Sequence, residues 1–182
     1  MKQGLGIALI CMAMALCGCS NEKAPEQPQK IPSFTLSPSE KEALVVYYKD
    51  LLSAEGLADK AVKLAEDEVM NVIKGGGGSI TLATIIDKAK NECLRTVGSL
   101  AKASVPEALP PELKSLLSEG KNDLVAAYKA YAESFEAINN FVAEKSPMAL
   151  LEYRKKNSEA RELFGKATGK LNQIMVASGV SQ

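Results

Sequence analysis

The amino-acid sequence predicts an all-α fold, an antiparallel bundle of four or five helices behind a disordered N-terminal tether. Two observations carry this reading. Apolar residues recur in steps of three and four along nearly the whole chain after residue 37, and no stretch alternates in the manner of a strand. Proline or glycine stands wherever two periodic stretches meet, in Gly75-Gly76-Gly77-Gly78, from Pro106 to Pro111, and in Ser146-Pro147. The 182 residues divide into a leader, 1–18, a proline-rich tether, 19–36, and one helical domain, 37–182.

The first helix starts at Ser37-Pro38-Ser39-Glu40. Ser37 takes the N-cap, Pro38 the first helical position, where its missing N–H costs nothing, and Glu40 the place that closes a capping box. Leu44, Tyr48, Leu51 and Leu52 recur along it with Val45 beside them, and Gly56 is expected to break or kink it. A second stretch, 57–74, sets Leu57, Ala61, Leu64, Ala65, Val72 and Ile73 on one side and runs into the four glycines. Four glycines in a row make a flexible connector. They do not make a phosphate loop, which needs Lys-Ser or Lys-Thr after the last glycine, where this chain has Ser79-Ile80.

The next helix, about 80–103, carries Leu82, Ile85, Ile86, Ala89, Cys93, Val97 and Leu100 in one stripe. Pro106, Pro110 and Pro111 force a turn. From Pro111 to Lys145 the apolar positions are Leu113, Leu117, Gly120, Leu124, Ala127, Tyr131, Phe135, Ile138 and Val142. An unbroken helix of that extent would be about 50 Å long at 1.5 Å per residue, with Gly120 as the place where it could break. Ser146-Pro147 opens the last helix at once, antiparallel to the one before. Its apolar side is Met148, Leu151, Leu163, Phe164, Ala167, Leu171, Ile174 and Met175, and Glu152 to Ala160 is almost all polar apart from Tyr153.

The N-terminus has a different logic. Lys2 precedes an apolar run from Leu5 to Leu16, which is too short for the roughly 20 residues that a membrane-spanning helix needs, and fits a cleaved signal peptide instead. The run closes on Leu16-Cys17-Gly18-Cys19, followed by the polar Ser20-Asn21-Glu22-Lys23. Over residues 1–20 this resembles the lipobox of bacterial lipoproteins, with a small residue directly before the cysteine at the cut. The resemblance implies cleavage after Gly18, a diacylglyceryl thioether on the Cys19 sulfur, and an acyl group on its amine. Such an anchor gains about 0.8 kcal/mol per buried methylene, and two or more chains give stable attachment. Ser20, where an Asp would imply retention in the inner membrane, makes the outer membrane the expected location, facing the periplasm. In a source without an outer membrane it would be the cell membrane. Residues 20–36 contain Pro25, Pro28 and Pro32 among polar neighbours, and as a coil would set the domain on the order of 20 Å from the lipid.

Loss of the leader removes Lys2 and no acid, leaving 21 basic residues against 22 acidic. Nothing in that balance suggests a nucleic-acid binder, which would call for a strongly basic face. Cys11 and Cys17 leave with the leader and Cys19 is consumed by lipid, so Cys93 stands alone and no internal disulfide forms. Within its stripe Cys93 reads as a small buried hydrophobe, and the alternative is an intermolecular disulfide or a reactive thiol in an oxidising compartment. The chain has no histidine, which removes the usual general base and metal ligand, and no catalytic constellation, cofactor site or metal site is expected. Glu66-Asp67-Glu68 points in several directions around a helix and reads as a solvated face.

Two readings of function remain. One is a structural or interaction module of the cell envelope, docking a partner protein. The other is a carrier or sensor enclosing an apolar ligand within the bundle. Charge supplies a candidate surface, because residues 40–74 hold eight acids against five lysines and residues 145–170 seven bases against three acids. Either those bases pair within the last helix, as in Glu152/Lys156 and Glu162/Lys166, and face the acidic helices, or Arg154, Lys155 and Lys156 point outward as a patch for an anionic partner or lipid headgroups.

Overall fold

The computed structural model describes residues 31–76 and 81–180, which belong to one compact unit. The leader, Cys19 and most of the tether lie outside the described residues, as do Gly77, Gly78, Ser79 and Ile80. Four helices make up the fold: α1 (Pro38–Ile73), α2 (Leu82–Lys102), α3 (Pro111–Glu144) and α4 (Pro147–Ala177). Among the described residues there are no strands. No helix among them is long and apolar enough to cross a membrane.

Each helix end has a local cause. At the start of α1, Ser37 Oγ accepts from the Glu40 amide at 3.3 Å and Glu40 Oε2 accepts from the Ser37 amide at 2.7 Å, the capping box expected from the sequence. Pro111 and Pro147 take the first turn of α3 and α4. Ser146 stands at the N-cap of α4 with extended backbone, but its side chain makes no capping bond. α1 ends in a Schellman motif: Gly75, at φ 88°, donates to Val72 O and Gly76 to Asn71 O. Gly179, at φ 64°, repeats it for α4, with Val180 donating to Met175 O.

Neighbouring helices run antiparallel. Thr96 Oγ1 of α2 donates to Ala54 O of α1 at 3.0 Å. Asn139 of α3 donates to Asp87 of α2 at 2.6 Å, and Lys121 Nζ reaches Ala103 O at 2.9 Å. Lys156 of α4 meets Glu133 of α3 at 2.5 Å, and Lys170 meets Glu119 at 3.2 Å. α3 packs most closely on α4 and then on α2, whereas the α1 and α4 backbones stay farther apart and are joined by side chains. The core is a continuous column that includes Leu44, Leu51, Ile86, Leu100, Leu124, Phe135, Ile138 and Ile174.

Three expectations are corrected. Gly56 does not break the first helix: α1 is continuous over 36 residues, and a Cβ at Gly56 would meet nothing within 4 Å. The phase set by Leu44, Tyr47 and Leu51 therefore runs on through Glu55, Ala58, Val62, Ala65 and Val69, and Leu57 and Leu64 fall on the outer side. In α4 the buried positions are Tyr153, Asn157, Ala160, Ala167, Leu171, Ile174 and Met175, so the polar middle carries part of the core face. Met148 and Leu151 are 71% and 56% exposed because they are out of phase with it. Finally, the last residues assigned to the tether lie on the bundle. The Phe34 amide donates to Ala177 O at 2.9 Å, and Leu36 is buried.

Candidate functional site

At the α1–α4 seam the two helices are joined by polar side chains. α4 presents Arg154, Asn157 and Arg161 on one flank because they are spaced by three and four residues, and the antiparallel register sets Ile73, Met70 and Glu66 of α1 opposite. Glu66 is the hub. Its Oε1 accepts from Asn157 Nδ2 at 2.7 Å and from Arg161 Nε at 3.1 Å, while Oε2 accepts from Arg161 Nη2 at 2.8 Å. Hydrogen bonding to Glu66 raises the pKa of Arg161 above its usual value. Glu66 thus leaves the solvated face expected for Glu66-Asp67-Glu68, while Asp67 is exposed on it.

Beside this hub lies a groove of about 350 Å³ lined by Met70, Ile73, Tyr153, Arg154, Asn157 and Ser158 together with Glu66 and Arg161. Its floor is Tyr153, whose phenol is pushed up to about 12 chiefly by burial. Its lining joins apolar Met70 and Ile73 to the cation Arg154 and the paired Glu66 and Arg161. The structure separates the three residues of the basic run. Arg154 is exposed at the groove, Lys155 is exposed beyond it, and Lys156 turns the other way to Glu133 of α3. Among the described residues neither Arg154 nor Lys155 makes a hydrogen bond or ion pair. Pairing of the surplus bases with the acidic stretch 40–74 therefore holds for Arg161, whereas Lys156 bonds Glu133 of α3 and not Glu152 of its own helix, and Lys170 meets Glu119 and Asp123 of α3.

Chemically, the groove can hold an anionic group at Arg154 with an apolar neighbour on Met70 and Ile73. It has no nucleophile–base pair, and among the described residues no three acidic or cysteine side chains are grouped to hold a metal ion. Cys93 is buried in the core, with its thiol pushed up to about 12 chiefly by burial. Cys19 is outside the described residues.

Glu55, Tyr128 and Asn157 are among the buried polar residues that were not anticipated. Each sits in the three-four phase of its helix, so the signal was present once the helices are read as continuous. In comparison with known proteins, no family model, no curated protein and no solved structure matches the chain.

Proposed function

We propose that the chain is a lipid-anchored interaction module of the cell envelope, held to the outer membrane through Cys19, whose bundle docks a partner protein at the α1–α4 groove. The observation that carries this reading is Arg154, a cation that pairs with no described residue at the rim of a groove with apolar lining, while its neighbours Lys156 and Arg161 are neutralised within the fold. Polarity along the bundle supports it. The chain enters beside Ala177 at one end, and the groove, with the exposed Met70, Met148 and Leu151, lies toward the other. The 36 residues of α1 and 31 of α4 carry that end roughly 45 to 55 Å from the entry point at 1.5 Å per residue. The complementary partner is an acidic segment with apolar anchors, for which Arg154 and Lys155 set register and encounter rate.

The test places a photo-crosslinker at Ser158, beside the groove, or at Val176, at the opposite end, in the full-length protein in its envelope. A discrete adduct from position 158 that is lost on Arg154→Glu and weakens with salt supports the reading. Identical adducts from both positions, or indifference to Arg154→Glu, overturns it. Fatty-acid labelling of wild type but not Cys19→Ala tests the anchor separately.

A further inference from the structure

Between the two polar ties of the α1–α4 seam, Glu66 with Arg161 above and Tyr48 with Asn172 below, lies Glu55. It is only 7% exposed, and its Oε1 is fully buried with no hydrogen-bond partner. The helix registers bring Thr96 of α2, Tyr128 of α3 and Phe164 of α4 to the same level. Thr96 bonds the backbone at Ala54, and Phe164 stands edge-on to the Tyr128 ring at 5.9 Å. The Tyr128 hydroxyl is also buried without a partner. The titratable groups around this layer are Tyr48 and Asp59 on α1, Cys93 and Glu92 on α2, and Tyr128 on α3, none of which supplies a positive charge. On α4, Arg161 is held by Glu66 and Lys170 by Glu119 and Asp123. Among the described residues no lysine or arginine pairs with Glu55.

A carboxylate in such a place loses water and gains nothing in return, so the neutral acid is the form that the closed seam accommodates. The way out is short. Leu52 is half exposed and Asp59 exposed, one turn to either side, and the α1 and α4 backbones are not in close contact. We propose that the Glu55 layer is an acid-tightened latch: the protonated carboxyl lets α1 close on α4, and the ionised carboxylate draws water into the seam and parts the two helices. The inference is independent of what docks at the groove.

Burial, with Asp59 as a lesser cause, pushes Glu55 up to about 7 from an ordinary value of 4.5. A raised carboxyl stabilises the closed seam most fully below the ordinary value, and that stability is lost as pH rises to about 7, beyond which both states are ionised and the curve flattens. The opening constant should therefore rise roughly thirty- to fortyfold between pH 5 and pH 7. The test is hydrogen exchange of the full-length chain in detergent, corrected for the intrinsic exchange rate at each pH. Protection of amides near Glu55 in α1 and in the facing turns of α4 should fall by that factor from pH 5 to pH 7, more than at the α2–α3 contact. Glu55→Gln should remove the pH slope, and Glu55→Met does the same if the amide proves too costly to bury. A flat wild-type profile over this range, or a slope that persists in both variants, overturns the latch.

Discussion

Gly120 of α3 and Leu171 of α4 compete for one space: a Cβ on Gly120 would stand 2.9 Å from Leu171 Cδ2 and 3.1 Å from its Cγ. Leu171 is itself buried, so its methyl group has little room to retreat. Glycine at this position leaves room for the Leu171 side chain directly against the α3 backbone.

The consequence is a contrast between two glycines in helix interiors. Gly56→Ala places its methyl in open space and should stabilise the chain by about 1 kcal/mol through helix propensity alone. Gly120→Ala gains the same propensity but overpacks the seam, at a cost of about 1–3 kcal/mol, and should come out neutral to destabilising by up to about 2 kcal/mol. Urea midpoints of the two variants measure the difference. A Gly120→Ala variant as stable as Gly56→Ala would mean that the α3–α4 contact yields easily.

The same pair shows what the sequence made legible. Periodicity placed α2 and α3 almost to the residue and set Leu113, Leu117, Gly120 and Leu124 on the core face, because those helices keep one phase from end to end. It misplaced the core of α1 after Gly56, since a glycine weakens a helix without ending it, and packing on both sides of residue 56 decides the matter. Leu57 and Leu64 were then counted inside on hydrophobicity, although phase sets them outside and turns Glu55 inward. Asn157 was hidden in the polar middle of α4 for the same reason. The groove was not readable, because it depends on which bases find acids on other helices. Lys156 and Arg161 do and Arg154 does not, a distinction of tertiary register that adjacent letters cannot carry.

Tyr128 offers a substitution that should stabilise. Its hydroxyl is buried with no partner, and burial drives its ionisation well above the ordinary phenol range. An unsatisfied buried hydroxyl costs about 1–3 kcal/mol. Tyr128→Phe keeps the ring against Phe164 and removes that cost, so the urea midpoint should rise by an amount equivalent to about 1 kcal/mol. A marked loss of stability would show that the hydroxyl is satisfied in solution.

Cys93 should behave as part of the core and not as a link between chains. It is wholly buried in α2, and its thiol, at about 12, is almost entirely protonated at neutral pH. The folded protein processed to Cys19 should resist a maleimide or Ellman's reagent and react only as urea unfolds it. Non-reducing gels should show no disulfide-linked dimer, and fast stoichiometric labelling in native buffer would contradict the burial.

The basic run of α4 provides the last test, because the structure gives its three members different work. Lys156 is bonded to Glu133, a contact that raises its pKa above the usual lysine value. Lys156→Glu would set two carboxylates facing each other and should lower the melting temperature while leaving the groove intact. Arg154 and Lys155 have no such partner among the described residues. Arg154→Glu and Lys155→Glu should therefore leave the melting temperature within error of wild type. If the groove docks an acidic segment, Arg154→Glu should slow association and abolish its salt dependence, since charges at the rim act on encounter over a Debye length of about 8 Å. Lys155→Glu, farther from the apolar lining, should do the same more weakly. A fall in melting temperature for Arg154→Glu equal to that for Lys156→Glu would place Arg154 among the residues that hold the bundle together and remove it from the docking surface.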